Sequence, residues 1–291
     1  MIGHSAAVDR ADQISLEEEN AFAAILGVLG ERLGVDFTRY RLATVRRRVL
    51  NRMISARART FEEYLSLLSS DAAEAQRLLS RVTIKVSRFY RNKVTFEALR
   101  GQVIPELVAA RADSSLRVLS AGCGMGEEPY TLAMLLEEAG VPGTIEAMDI
   151  DSQALAAAAR GQYDAAALGE LPPELREKYL EPAAKGFSIC ESLRRRVVFT
   201  RRDLTAMPTE PGLRGCYDLV CCRNVLIYFE REIQEQTLLA LGRSIRPGGF
   251  LCLGEAEWPM ASIAAALQAL PHKTRIFRLS QGAFLTHEKL A

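Results

Sequence analysis

The chain has 291 residues, of which 48% are hydrophobic and 25% are charged, and its formal net charge is +1. This composition is typical of a soluble globular protein with one large domain or two smaller ones. No apolar run approaches the ~20 residues of a membrane span, and the N-terminus lacks the basic start and apolar core of a secretory signal, so we expect a cytoplasmic protein without membrane insertion.

Cysteine and histidine usage indicates neither a metal site nor a disulfide framework. The six cysteines form no C-x-x-C pair, and several lie in apolar, strand-like runs, as buried reduced thiols do. The three histidines, His4, His272 and His287, lie far from every motif described below. We therefore expect no metal and no histidine general base.

The first part of the chain is predicted to be helical. Helices are expected over Leu16–Leu33, with Ser15 as N-cap, and over about Thr38–Ala56, and two shorter helices follow the N-cap residues Thr60 and Asp71. Residues 32–100 contain 16 Lys and Arg residues against 6 Asp and Glu residues, a local excess of +10. This asymmetry divides the chain near residue 100 and predicts an acidic partner for the first part.

The second predicted helix combines an apolar stripe with basic faces. The stripe consists of Leu42, Val45, Val49 and Met53. The basic residues are Arg46, Arg47, Arg48 and Arg52. They form either a solvated face or a docking surface for an acidic protein helix or a nucleic acid. Because aromatic residues and glycine loops are not interleaved with the arginines, the pattern argues against nucleic acid.

Strands and helices alternate in the second part. The predicted strands are Leu116–Ser120, Thr144–Met148, Val197–Thr200, Tyr217–Cys222, Phe250–Gly254 and Arg275–Leu279. The predicted helices are Pro129–Ala139, Ser152–Arg160 and Glu230–Ile245, and a small β insertion is expected at about 171–196. This order predicts an α/β fold with a mostly parallel sheet, in which ligands bind at the carboxyl ends of the strands.

A glycine-rich turn follows the first of these strands, in the run LRVLSAGCGMGEEPYTLAM. Its spacing is G-x-G-x-G, with Glu127 where a dinucleotide fingerprint needs glycine, and no Lys-Ser or Lys-Thr pair follows. Glu127 and Glu128 would repel phosphates and attract a cation. The turn therefore indicates an adenosine-containing ligand without a pyrophosphate, and S-adenosylmethionine carries the required sulfonium and ammonium groups.

Two polar residues follow other predicted strands at the same edge. Asp149 is placed to accept hydrogen bonds from ribose hydroxyls, although a surface Asp before a helix has the same pattern. Asn224 could hold the methionine or adenosine portion, although asparagine is also common in turns. Their shared position at strand ends predicts a single site with the glycine turn.

The motifs AGCGMGEEPYTLAM, DIDSQAL, CRNVLIYF and RPGGFLCLGEAE resemble those of the chemotaxis receptor methyltransferases of the CheR type, over roughly residues 15–280. The resemblance implies a class I S-adenosylmethionine-dependent methyltransferase fold, Rossmann-like, with an N-terminal all-α domain and a small β-subdomain. The implied organisation is a flexible N-terminus at 1–14, a helical domain at 15–92, a linker at 93–105 and a methyltransferase domain at 106–291.

The resemblance also implies the site residues, matched motif by motif. The cofactor positions are Lys85, Ser87, Arg91, Gly122, Gly124, Glu127, Glu128, Asp149, Asp203, Leu204, Asn224 and Val225. The positions near the transferred methyl group are Arg91, Arg223 and Tyr228. Two residues depart from the family pattern: Lys85 stands where Asn is usual, and Asp203 replaces the Asn of an Asn-Leu pair.

By the same resemblance, the reaction forms glutamate methyl esters on the cytoplasmic helices of chemoreceptors, with S-adenosylhomocysteine as the second product. The partner is expected to dock on the helix that carries Arg46, Arg47, Arg48 and Arg52, without the pentapeptide tether of some family members and with the enzyme as a monomer. Two alternatives stay open: a methyltransferase of another substrate such as RNA, and a non-catalytic module that binds the cofactor or its product.

Overall fold

The computed structural model describes residues 16–83, 87–110, 115–207, 213–271 and 274–280. The chain divides into two compact units, Met1–Ile84 and Lys85–Ala291. The predicted flexible N-terminus at 1–14, the predicted N-cap Ser15 and the site candidate Lys85 lie outside the described residues. None of the described helices is both long enough and apolar enough to cross a membrane.

The first unit contains four α-helices in its described part: α1 Leu16–Leu33, α2 Leu42–Ala56, α3 Phe61–Ser70 and α4 Ala72–Val82. The capping predictions are confirmed, because the Thr60 side chain accepts from the Glu63 N–H and the Asp71 side chain accepts from the Ala73 N–H. The prediction that the second helix starts near Thr38 is wrong. A separate 3-10 turn occupies Phe37–Arg39, and the extended backbone of Tyr40 separates it from α2.

The apolar stripe of α2 is buried along most of its length. Val45, Val49 and Met53 are buried against the other helices of the unit, whereas Leu42 at the first turn remains 42% exposed. The stripe prediction is therefore confirmed for the interior of the helix and wrong for its first residue.

The second unit begins with a helical run over residues that the sequence had assigned to a linker. The run consists of α5 Lys93–Ala98, a π-helical turn Leu99–Val103 and α6 Ile104–Ala109. Phe96, Leu99, Val103 and Leu107 recur at three- and four-residue spacing and enter the main core of this unit. Burial of this face explains why the segment is regular.

The remaining elements of this unit build two sheets. The strands are β1 Leu116–Ala121, β2 Gly143–Asp149, β3 Gln162–Tyr163, β4 Leu180–Ala183, β5 Gly186–Ile189, β6 Val197–Arg201, β7 Tyr217–Cys222, β8 Ile245–Leu253, β9 Leu267–Ala269 and β10 Ile276–Leu279. The helices are α7 Glu127–Glu138, α8 Ser152–Arg160, α9 Pro173–Tyr179, α10 Glu191–Arg194, α11 Arg231–Ser244 and α12 Ala261–Ala264.

The large sheet has the strand order β6-β2-β1-β7-β8-β10-β9. The pairs from β6 to β8 are parallel, and β10 is antiparallel to both neighbours. This confirms the predicted mostly parallel sheet, and the carboxyl ends of β6, β2, β1 and β7 meet at one edge. The three-stranded antiparallel sheet has the order β3-β5-β4.

One strand starts earlier than predicted. The sequence Arg246-Pro247-Gly248-Gly249 was expected to separate a helix from a strand at Phe250, but β8 already begins at Ile245. Its pairing with β7 is irregular between Tyr217 and Leu219. A side chain at Gly249 would stand 2.7 Å from the Asp218 carbonyl oxygen, so this glycine allows the two backbones to approach closely.

Candidate active site

The glycine turn connects β1 to α7. Gly122, Gly124 and Gly126 have φ values of 79°, 57° and 97°, in the left-handed region that glycine adopts without steric cost. A Cβ atom at Gly122 would stand 2.2 Å from Val225 Cγ2, whereas a Cβ at Gly124 would meet nothing within 4 Å. The turn is therefore packed at Gly122 and open at Gly124, where a ligand can approach the backbone.

Asp149 at the end of β2 holds this turn in place. Its Oδ2 accepts a hydrogen bond from the Gly124 N–H at 2.8 Å, and its Oδ1 accepts from the Asp151 N–H at 3.0 Å. The carboxylate is half-buried. Asp149 thus fixes the backbone of the glycine turn, a contact that the sequence did not predict.

The two adjacent glutamates of α7 have different environments. Glu127 is 6% exposed, and among the described residues its Oε2 has no hydrogen-bond partner. Burial raises the pKa of Glu127 above its ordinary value, although a hydrogen bond from the Ser87 side chain opposes this effect. Glu128, in contrast, accepts from Ser120 Oγ at 2.8 Å and pairs with Arg223 at 3.2 Å. Only Glu127 therefore keeps a buried carboxylate oxygen for a cationic ligand.

Arg223, which the resemblance places near the transferred methyl, is buried and internally bonded. It is 7% exposed, and besides Glu128 its Nη2 donates to the Arg91 carbonyl oxygen and to Asn92 Oδ1, each at 2.7 Å. Burial alone would lower the pKa of Arg223, but the Glu128 carboxylate and the neighbouring Cys252 and Cys221 together outweigh this effect, so the pKa is raised. These contacts connect the end of β7 to the segment that carries Arg91.

The remaining described candidates lie on loops at the same edge. Asp203 follows β6, and its Oδ1 accepts from the Thr205 N–H and hydroxyl, while Leu204 beside it is 5% exposed. Asn224 follows β7 with a left-handed φ of 60°. Tyr228 ends a 3-10 turn, and its N–H donates to the Val225 carbonyl oxygen at 3.1 Å.

Hydrogen bonds, an ion pair and a packing contact connect these loops. Asp149 binds Gly124, Val225 packs on Gly122, and Arg223 joins Glu128 to the Arg91 backbone. The loop after β6 joins through the Arg202 N–H, which donates to the Asp149 carbonyl oxygen at 3.0 Å. The structure thus brings the described site candidates together at one edge of the sheet.

Family profiles match both units. Residues 85–275 match the CheR methyltransferase SAM-binding domain, and residues 20–83 match the CheR methyltransferase all-alpha domain. The chain belongs to the CheR methyltransferase family. Its second unit has the class I methyltransferase fold, and its cofactor is S-adenosylmethionine.

Curated relatives agree with this membership. A chemotaxis protein methyltransferase of Listeria monocytogenes is 35% identical over 79% of this chain and 87% of its own length. Chemotaxis protein methyltransferase 1 of Pseudomonas aeruginosa is 35% identical over 70% of this chain and 74% of its own length. An uncharacterized 104.1 kDa protein of Rhodobacter capsulatus is 36% identical over 83% of this chain, which spans only 26% of that longer relative. Neither of the alternative functions gains support from these matches.

The residues present fit S-adenosylmethionine. The buried Glu127 oxygen, which has no hydrogen-bond partner in the described part of the chain, suits an ammonium group, and the open backbone at Gly124 allows close approach of the ligand. Among the described residues, no group of three or more His, Cys, Asp or Glu side chains could hold a metal ion.

Two residues of this edge were missed by the sequence reasoning. Tyr163 in β3 donates its hydroxyl to the Met125 carbonyl oxygen at 2.7 Å and so connects the small sheet to the glycine turn. Glu257, three residues beyond Gly254, is 4% exposed, and its carboxylate accepts hydrogen bonds from four main-chain N–H groups. An acidic residue just after a buried strand was the available signal for Glu257.

Proposed function

We propose that this CheR-family methyltransferase forms methyl esters on glutamate side chains of chemoreceptor cytoplasmic helices. The observation that carries the proposal is the buried Glu127 carboxylate, one oxygen of which has no hydrogen-bond partner among the described residues, beside the open glycine turn of the family's motif. The acceptor is inferred from relatives that are named chemotaxis protein methyltransferases.

The proposed cofactor-binding roles are those that the family resemblance implies. Glu127, with Ser87 beside it, binds the ammonium group, Asp149 binds the ribose, and the Asp203–Leu204 loop lies at the adenine. Asn224 and Val225 form the opposite side next to Gly122. Bound S-adenosylmethionine supplies a methyl group that its sulfonium already activates.

The chemistry needs orientation more than proton transfer. A glutamate acceptor is ionised at pH 7, because its pKa is about 4.3, and is itself the nucleophile. Arg91 and Tyr228 orient its carboxylate, and Arg223 acts through the Arg91 backbone and Glu128. Cys123 in the glycine turn is buried, and burial raises the pKa of its thiol, which keeps it protonated rather than nucleophilic.

Two of the four α2 arginines that were assigned to the partner surface make contacts within the first unit. Arg46 pairs with Glu19 at 2.6 Å and stacks between Phe22 and Phe61. Arg52 donates two hydrogen bonds to the buried Glu74. Arg47 is exposed and Arg48 is half-buried, so we propose that an acidic receptor helix docks through these two, without a pentapeptide tether.

Labelled methyl transfer tests the proposal. The full chain is incubated with methyl-labelled S-adenosylmethionine and a receptor cytoplasmic fragment, with a fragment whose glutamates are replaced by alanine as control. Base-labile label on the wild-type fragment alone is expected. Base-stable label, or label on added RNA instead, would indicate another substrate class. Binding of S-adenosylhomocysteine without any transfer would indicate a non-catalytic module.

A further inference from the structure

Glu257 uses its whole carboxylate to hold main chain. Oε2 accepts from the Gly254 N–H at 2.7 Å and the Asn224 N–H at 2.8 Å. Oε1 accepts from the Val225 N–H and the Leu226 N–H, each at 2.8 Å. The side chain is 4% exposed. A buried carboxylate with charge-assisted bonds to four amides is a strong local restraint on the backbone.

Three of these four amides belong to the loop that carries two predicted cofactor contacts. Asn224, Val225 and Leu226 are consecutive, and the left-handed φ of 60° at Asn224 turns their N–H groups toward one point. Such a backbone conformation is uncommon outside glycine and needs support from its surroundings. Glu257 supplies this support by accepting all three N–H groups.

The position of the loop is restricted on two sides by glycines. A Cβ at Gly254 would stand 2.6 Å from Glu257 Oε2 and 2.7 Å from the Asn224 nitrogen. On the other side, the Val225 side chain occupies the space that a side chain at Gly122 would need. A small shift of the Asn224–Leu226 turn would therefore alter its contact with the glycine turn of the cofactor site.

We propose that Glu257 is a positioning residue of the S-adenosylmethionine site. It acts through Asn224 and Val225, which it holds against the glycine turn. The inference rests on the cofactor site and is independent of the acceptor, so failure of receptor methylation would leave it intact. Its readout is accordingly the binding of S-adenosylhomocysteine, measured by calorimetry on the full chain.

The test variant is Glu257→Gln, which keeps the shape but turns one oxygen into an N–H donor that faces two N–H groups. The affinity for S-adenosylhomocysteine is expected to fall at least tenfold. The control is Asp218→Asn, near the start of β7, the strand whose other end leads into the Asn224–Leu226 turn. Asp218 is 3% exposed and accepts from the Arg117 N–H at 2.7 Å, but it lies away from the site. This control should lose thermal stability but keep its affinity for S-adenosylhomocysteine within about twofold of wild type. The tenfold loss expected for Glu257→Gln corresponds to about 1.4 kcal/mol of binding free energy.

Equal loss of affinity in both variants at a similar loss of melting temperature would overturn the proposal, as would unchanged affinity in Glu257→Gln. If Glu257→Gln does not fold, Gly254→Ala tests the same contact with the carboxylate intact. Its new Cβ would push Glu257 Oε2 and the Asn224 nitrogen apart. A folded Gly254→Ala protein with wild-type affinity would equally reject the positioning role.

Discussion

Two buried glutamates, Glu74 in the first unit and Glu127 in the second, have different surroundings and different uses. Glu74 in α4 is 1% exposed, and it accepts from Arg52 twice, from Arg77 and from the Tyr64 hydroxyl. Burial alone would raise the pKa of Glu74, but these hydrogen bonds outweigh it and the pKa is lowered. Glu127 in α7 is 6% exposed, keeps Oε2 without a partner among the described residues, and has a raised pKa.

The difference shows how a structural carboxylate is distinguished from a ligand-binding one. Burial is similar in the two cases, so it does not decide the role. What decides it is whether the protein itself satisfies the charge, because an unpaired buried carboxylate is expensive and is retained where a ligand completes it. By the same criterion, Arg52 and Arg223 pair with internal carboxylates, although Arg52 was assigned to the partner surface and Arg223 to the region of the transferred methyl group.

The largest expected effect is on the stability of the first unit. Glu74→Gln leaves the partly buried Arg52 without its counter-charge and should lower the free energy of unfolding by about 3 kcal/mol. Urea denaturation followed by circular dichroism measures it. Glu19→Gln is the matched control, because Glu19 pairs with Arg46 at the surface and its loss should cost under about 1 kcal/mol. Equal losses in the two variants would remove the distinction between these ion pairs.

Glu127→Gln, in contrast to Glu74→Gln, should lose cofactor affinity and not stability. The variant removes the charge that is proposed to bind the ammonium group, so affinity for S-adenosylhomocysteine should fall by about 1.5–3 kcal/mol, the scale of a hydrogen bond to a charged group. Stability should stay the same or rise, since the variant removes a buried charge of which one oxygen lacks a hydrogen-bond partner among the described residues. Calorimetry and thermal unfolding measure the two quantities, and a destabilised variant with normal affinity would assign Glu127 to the fold.

Two tyrosines allow the same comparison at a hydroxyl group. Tyr64 is fully buried and donates to Glu74 at 2.8 Å, so Tyr64→Phe should reduce stability. Tyr228→Phe should keep the fold and cofactor binding but lower turnover about tenfold, or ~1.4 kcal/mol in the barrier, by losing orientation of the acceptor. Steady-state methylation at saturating cofactor decides the point, and full turnover in Tyr228→Phe would exclude it from catalysis.

The pH dependence of stability should differ in sign between the two glutamates. Glu127 has a raised pKa. Its contribution to the free energy of unfolding is therefore fully present below the ordinary pKa of 4.5 and is lost as pH rises through the raised pKa. Glu74 has a lowered pKa, so its contribution is present above 4.5 and is lost as pH falls. Urea titrations of wild type and both Gln variants between about pH 3.5 and 7 measure this difference. Relative to wild type, Glu127→Gln should become more stable as pH rises. The deficit of Glu74→Gln should shrink as pH falls, and parallel curves would contradict the assignment.

The smallest expected effect concerns the exposed part of α2. Arg47→Glu should slow receptor methylation about threefold at low salt, on the scale of a surface charge pair, and less at high salt. Cofactor affinity should not change. Arg57→Glu is a suitable control, because it makes the same charge change at an exposed residue that lies at the C-terminal end of α2, outside the proposed docking pair. A rate that is independent of both substitutions and of salt would show that the arginine face is only solvated.

The sequence by itself determined the elements whose signals are local. The Thr60 and Asp71 caps, the exact range Ser152–Arg160 and the strand Tyr217–Cys222 follow from cap residues, periodicity and apolar runs, which act within a few residues of chain. The left-handed glycines of the turn were predictable for the same reason, because their spacing has few structural alternatives.

Tertiary structure alone decided which charged side chains form ion pairs inside the protein. Whether Arg223 meets Glu128, or Arg52 meets Glu74, depends on residues 95 and 22 positions away, and no local pattern specifies such a pair. The linker assignment at 93–105 missed a helical run for a similar reason, since its apolar face is explained only by the core it enters. Glu257 follows β8 but accepts from the Asn224 and Val225 N–H groups, which follow β7. The two segments are neighbours only in the folded sheet, so the spacing along the sequence does not predict this contact.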